Sequence, residues 1–230
     1  MREVVLDTET TGLEPELGHR IVELGAIELI NHVPSGRTFH AYVNPERDMP
    51  DDALRVHGLT SPFLAGQPLF ADVVDGFLAF LDQDHAGAPQ PAKLVAHNAS
   101  FDVAFINMEL ARLGRPPLPP ERVVDTLPIA RQRFPGAPNS LDALCRRFEV
   151  DASARTRHGA LLDSELLAEV YLGLLGGRQP GFELIQVRVA RAADSGPRVR
   201  REPRPHRASP EELAAHAAFL ERIKDPVWLR

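Results

Sequence analysis

Val4-Val5-Leu6-Asp7-Thr8-Glu9-Thr10-Thr11-Gly12-Leu13 opens the chain with three apolar residues that run directly into two acids. Val4–Leu6 predicts a short buried strand. Successive strand side chains alternate between faces, so Asp7 and Glu9 aim their carboxylates at one point beside the core. Two such groups left unpaired repel each other, and one takes up a proton. A divalent cation between them removes the conflict, and an all-oxygen donor set suits magnesium or manganese. Thr10-Thr11-Gly12 adds hydroxyls and a backbone that a ligand can approach closely. Taken alone, Asp-x-Glu is more often a solvated strand end before a turn, so the reading depends on the rest of the chain.

Outward from this stretch, Ile21–Ile30 predicts a strongly apolar strand. Thr38–Val43 predicts its neighbour across a turn at Pro34-Ser35-Gly36. Three strands joined by short turns make an antiparallel meander on one side of a sheet. Asp51–His57 predicts a short helix ending at Gly58. Ser61-Pro62 predicts an N-cap followed by proline in the first turn. Apolar residues at 70, 73, 74, 77, 78 and 81 form one helical stripe. Lys93–Ala96 predicts a buried strand leading to a helix from about Ser100 to Leu113, and Val123-Val124 a short strand leading to a helix that ends near Phe134. Asn139 is expected to cap the helix holding Cys145, and a long helix runs from about Ala160 to Leu175. Strands first, then strand–helix alternation, predict a mixed α/β sheet covered by helices.

At 230 residues the chain can build one substantial core plus a tail, or two small domains. No apolar run reaches the ~18 residues of a membrane span, and the N-terminus enters a strand without a signal-peptide pattern. The single cysteine, Cys145, excludes an internal disulfide and a cysteine-rich metal site, fits a reducing cytoplasm, and sits where a core filler is expected. Net charge is −6, unevenly spread: residues 1–185 carry 16 Lys/Arg and 26 Asp/Glu, whereas residues 186–210 carry 7 Arg and 2 acids. An acidic body binds polyphosphate poorly by itself. Nucleic acid would have to be handled through metal ions in a cleft.

Two further places put acids at the ends of elements. Asp102 falls in the first turn of the helix after Lys93–Ala96, with Asn98 and Phe101 beside it. Asp163 falls near the start of the long helix, in His158-Gly159-Ala160-Leu161-Leu162-Asp163. Five helical residues turn through about 500°, leaving His158 and Asp163 roughly 140° apart. Both can reach one centre only if His158 lies on the loop before the helix. Four acids can hold two divalent ions, and an imidazole with a pKa near 6.5 can take a proton from water at neutral pH.

Asp7-x-Glu9, Asn98-x-x-Phe101-Asp102 and His158-x-Ala160-x-x-Asp163 resemble, in order, the three motifs of the DEDDh 3′–5′ exonucleases. The likeness covers about residues 2–176. Val56-His57-Gly58-Leu59-Thr60, Asp125-Thr126 and the C-terminal segment are most similar to the members that proofread as a subunit of bacterial DNA polymerase III. The resemblance implies a ribonuclease-H-like mixed five-stranded sheet flanked by helices, two Mg2+ or Mn2+ ions, a DNA 3′ end as substrate and deoxynucleoside 5′-monophosphates as products. It implies that Asp7 bridges the ions, that Glu9 and Asp163 hold the one beside the attacking water, that Asp102 serves the other, and that His158 is the general base. Thr8, Thr10, Thr11, Gly12 and Leu13 would pack against the terminal nucleotide, His57 and Asp52 would meet its sugar, and His97 and Asn98 would shape the cleft. His57 could instead cap its helix, and His97 could be a buried strand-end histidine. Asp125 is expected to play a hydrogen-bonding, structural part.

Composition shifts at Gly176-Gly177. Residues 177–208, rich in Arg, Pro and Gly, are expected to form a flexible tether. Ser209-Pro210-Glu211-Glu212 has the spacing of a capping box, and a short helix is expected to follow through Leu213, His216, Ala217 and Leu220, with Trp228 near the close of the chain. Residues 209–230 therefore suggest a segment that docks on a partner, which the resemblance makes the polymerase catalytic subunit. Within 179–184, Gln179, Phe182 and Leu184 resemble a sliding-clamp-binding peptide, although Pro180 and Glu183 depart from the pattern. A free-standing nuclease of the same chemistry, acting on RNA or short oligonucleotides, is the alternative. A scaffold that has lost its chemistry would not be expected to keep all five central residues.

Overall fold

The opening stretch forms β1 (Arg2–Thr10), longer than its apolar centre alone predicts and buried along nearly its whole length. It is joined by β2 (Ile21–Ile30), β3 (Val33–Tyr42), β4 (Lys93–Ala96) and β5 (Val123–Asp125) in a five-stranded sheet of order β3-β2-β1-β4-β5. The pairs β1–β2 and β2–β3 are antiparallel, and β1–β4 and β4–β5 are parallel. The meander therefore lies on one side and the strand–helix units on the other. This computed structural model describes residues 1–153, 155, 157–176 and 208–223. The chain divides into two compact units, Met1–Pro180 and Gly181–Arg230.

Alternation along β1 sorts the core. Val4 and Leu6 face one layer, where Phe70, Val74 and Phe77 of α3 (Phe70–Asp82) meet Phe105, Ile106 and Leu110 of α4 (Ala99–Arg112). Val5 faces the other layer, against Leu167, Ala168 and Tyr171 of α7 (Ala160–Leu174). Behind α7 pack α5 (Thr126–Arg133) and α6 (Leu141–Phe148), with Leu144 and Cys145 against Leu166 and Val170. Cys145 is thus buried core, as its position predicts. Each large apolar side chain buried here contributes about 1.5–3 kcal/mol. The polar start of β1 is also paired: Arg2 forms a buried ion pair with Glu28, and Glu3 accepts from the Tyr171 hydroxyl on α7.

Three local expectations are corrected. The β2–β3 turn sits at Asn31-His32, both with positive φ, while Pro34–Gly36 lies inside β3. Two successive residues with positive φ match the right-handed twist of a tight hairpin, and β3 is an edge strand, where proline costs no inner ladder bond. Ser140, not Asn139, caps α6, its hydroxyl accepting from Ala143 N–H; the Asn139 amide is turned back onto the Phe134 and Ala137 carbonyls. Thr60, not Ser61, caps α2 (Ser61–Ala65). Before it, α1 (Asp51–His57) ends at Gly58, whose φ of 77° is in the left-handed region.

In the second unit, α8 (Pro210–Leu220) starts at a complete capping box: Ser209 accepts from Glu212 N–H, and the Glu212 carboxylate accepts from Ser209 N–H. The expected tether and Gln179, Phe182, Leu184 and Trp228 lie outside the described residues. Among the described residues, no helix is long and apolar enough to cross a membrane.

Candidate active site

The carboxylates meet where β1 continues past its pairing with β4 while still paired with β2. Residues 3, 5, 7 and 9 face α7, so Asp7 and Glu9 point toward Asp163 in its first turn. Residues 4, 6 and 8 face α4, and the Thr8 hydroxyl donates to Asp102 at 2.8 Å. Helices on opposite faces thus bring Asp102 and Asp163 to one strand end. Glu9, His158 and Asp163 each place a donor atom so that all lie within 4.8 Å of one another.

α7 reaches this point because Gly25, the register partner of Asp7, has no side chain. A Cβ on Gly25 would lie 2.1 Å from the Ala160 backbone, so the first turn of α7 rests directly on β2. Ser164 fixes the contact, its hydroxyl lying 2.8 Å from the Ala160 carbonyl and 3.1 Å from that of Gly25. Gly159 is the N-cap, so His158 lies on the preceding loop, as the angular argument requires. Its N–H donates to the Val56 carbonyl on α1, and its ring is about half exposed.

Electrostatics at this point are strained. Burial, followed by the charges of Asp102, Glu9 and Asp163, holds the Asp7 carboxyl well above the usual range. Burial and Asp163 push Glu9 up to about 8. Asp102 is raised to about 7, chiefly by burial, against the opposing pull of the Thr8 hydroxyl. Carboxyls that resist ionisation for lack of positive charge are suited to divalent cations. Among the described residues, the cation paired with these acids is Arg155, whose Nε and Nη2 lie 2.5 and 2.6 Å from the two oxygens of Asp163. The donor set and this guanidinium both indicate that the residues fit metal ions: the site already holds a positive charge at one of its carboxylates.

Around the acids is a cleft of about 560 Å³. Thr8, Thr10, Gly12, Leu13, Asp52, His57, His97 and Asn98 all line it, together with the five central residues. Thr11 does not: it is fully buried, and its hydroxyl is used by His19 and by Arg20 N–H. Gly12 lies directly on the His19 ring, where a Cβ would come within 2.3 Å, so this turn is fixed from below. Leu13 is 79% exposed at the rim, and Asp52 is exposed and paired with Arg55.

His57 is buried, and burial lowers its pKa. Its Nδ1 accepts from Leu59 N–H, while Nε2 faces Thr10 without a well-formed hydrogen bond. His97 Nε2 lies 2.9 Å from the Asn139 carbonyl and Nδ1 lies 2.8 Å from the Thr126 hydroxyl, which ties the end of β4 to the turn before α6. Asp125 accepts from Asn98 N–H and Leu127 N–H, the supporting part expected of it. Sequence reasoning missed Arg155 and the apolar wall residue Val56. Arg155, with Arg157 two residues on, carried no spacing signal, because its loop has no periodicity.

The class that this fold and cleft define is that of the exonucleases. Residues 4–171 match the exonuclease family model, and the chain belongs to that family. DNA polymerase III subunit epsilon of Rickettsia felis is 47% identical over 230 aligned residues, covering 97% of each chain. Its counterpart in Escherichia coli K12 is 41% identical over 244, covering 97% of this chain and 93% of that one. Within the family, the chain's place is with the DNA polymerase III epsilon subunits. Among solved structures, exonuclease X in complex with 5′-overhanging duplex DNA is 25% identical with a TM-score of 0.57, over 75% of this chain and 90% of that one. The nuclease domain of 3′hExo, a DEDDh family member bound to rAMP, shares the fold, with a TM-score of 0.63 at 21% identity over 76% of this chain and 91% of that one.

Proposed function

We propose that the protein is a metal-dependent 3′–5′ exodeoxyribonuclease that proofreads for DNA polymerase III, with Asp7, Glu9, Asp102, His158 and Asp163 as its working centre. The observation that carries this reading is the meeting of four carboxylates and an imidazole at the end of β1, along one cleft. Asp7, Glu9, Asp102 and Asp163 would hold two Mg2+ or Mn2+ ions. Ions bound there supply charge neutralisation for the phosphate and a lowered pKa for the attacking water. His158, on its loop beside Asp163, takes the proton of that water. Leu13, Val56 and Phe101 give the terminal base an apolar wall, and the backbone from Thr10 to Gly12, held on His19, sets its depth. His57 and Asp52 flank the sugar end, while His97 and Asn98 close the far side. Hydrolysis releases a deoxynucleoside 5′-monophosphate and leaves a new 3′-hydroxyl.

Incubation with a 3′-mismatched DNA primer tests this. Mononucleotide release should require Mg2+ or Mn2+, stop with chelator, and fall by roughly a hundred- to a thousandfold in Asp7→Ala, a loss of the size seen when a central electrostatic group is removed. Chelator-insensitive release would end the proposal. An otherwise identical RNA primer separates it from the RNA-trimming alternative, which requires equal or faster digestion of RNA.

The proposed division is an exonuclease domain at 1–176, a connecting segment at 177–208 and a polymerase-docking segment at 209–230. The close relatives bearing the epsilon name support a polymerase partner, and with it a cytoplasmic location. Deleting residues 205–230 should leave digestion of free single strands intact and abolish copurification with the polymerase catalytic subunit. Retained copurification would place the contact elsewhere, and with it the proposed part of Trp228. A clamp contact through Gln179, Phe182 and Leu184 predicts weaker clamp binding by Gln179→Ala combined with Phe182→Ala; unchanged binding would remove it.

A further inference from the structure

Arg155 takes both oxygens of Asp163 in a fork, its Nη1 pairs with Asp142, and its Nη2 lies 2.8 Å from His158 Nδ1. Its side chain is 8% exposed and that of Asp163 is 3% exposed, so the pair is desolvated and little screened. Fork pairing of this kind is among the strongest hydrogen bonding proteins make. A guanidinium has donors only, so His158 Nδ1 must accept here, and the neutral ring then carries its proton on Nε2. His158 Nδ1 also lies 3.2 Å from the second oxygen of Asp163. If Arg155 withdraws, Nδ1–H can donate to that carboxylate, and Nε2 is left with a free lone pair.

We propose that Arg155 is a positioning residue that stands in for the cation at Asp163 and keeps His158 in the tautomer that cannot accept a proton at Nε2, until a divalent ion displaces it. One contact therefore governs two parts of the site: the Asp163 oxygens are released to the ion, and the imidazole is released to face Asp163 through Nδ1. Water activation then waits for the metal, because the base is not available before it. Asp142, exposed at the start of α6 and already bonded to Arg155, is the group that retains the displaced guanidinium. The inference rests on the metal-dependent reading above.

Mn2+ binding by calorimetry and His158 15N shifts with and without diamagnetic Mg2+ test it on the full chain. Arg155→Met, which keeps the aliphatic stem and removes every donor, should bind Mn2+ roughly tenfold more tightly, the scale of one charge-assisted hydrogen bond. Arg155→Lys, charged but without the fork, should fall between. In the unaltered protein, His158 should change from the Nε2–H to the Nδ1–H form when Mg2+ is added, a readout independent of how well the variants fold. Equal or weaker Mn2+ binding by Arg155→Met, or one His158 tautomer throughout, overturns the inference while leaving the metal-dependent reading intact. Absence of any Mn2+ binding by the unaltered protein removes that reading and this inference together.

Discussion

Glu9 is where burial and charge conflict most openly. Its carboxyl is 8% exposed, faces Asp163, and is pushed up to about 8 from an ordinary 4.5. Because the folded-state value is raised, folding favours the protonated form; the resulting stability is complete below about pH 4.5 and is lost as pH rises through about 8. Asp102, raised to about 7, acts in the same direction. Metal-free protein should therefore lose on the order of a few kcal/mol between pH 5 and 8, and Mn2+ should restore more of it at pH 8 than at pH 5. Thermal melts with chelator and with Mn2+ measure this. Equal metal stabilisation at both pH values would mean that the carboxyls do not carry the conflict. That Asp7 and Glu9 share a face was legible from their spacing, since a strand fixes which side chains lie together, but reading them as a site needed the acids elsewhere in the chain. Thr11 was not, since burial of its hydroxyl against His19 and Arg20 depends on a fold-back that no local pattern encodes.

At the scale of elements, the site depends on how closely α7 approaches the sheet. Gly25 permits that approach, so Gly25→Ala should drive the helix start away from β2 and carry His158 and Asp163 with it. We expect a loss of about 2–3 kcal/mol, typical of an overpacked core, together with a fall in kcat larger than the stability loss explains. Urea denaturation and single-turnover rates separate the two, and full activity in a folded variant would show that the contact is not what places Asp163. Helix stripes such as Phe70–Leu81 and the antiparallel meander were readable because burial imposes a period on the sequence, whereas the order of the five strands came only with the structure. Turn and cap positions were less so. Asn31-His32 lacks the glycine that advertises a tight hairpin, and Asn139-Ser140 offers two adjacent capping residues, of which Asn139 turns back onto the Phe134 and Ala137 carbonyls and Ser140 caps.

At the scale of the molecule, an acidic catalytic unit must bind an acidic polymer, and the charge count makes this depend on cations. The strand end, the two helices on opposite faces and the loop carrying His158 all serve that one requirement. Sequence showed the separate acids and their order, while the convergence of Asp102 and Asp163 from opposite faces needed the topology. The most direct measurement is anomalous diffraction from crystals grown with Mn2+ and a deoxynucleoside 5′-monophosphate. Two peaks should lie roughly 3.5–4 Å apart, with Asp7 touching both and Arg155 turned away from Asp163. No peak at these carboxylates, or manganese bound without Asp7, would contradict the account.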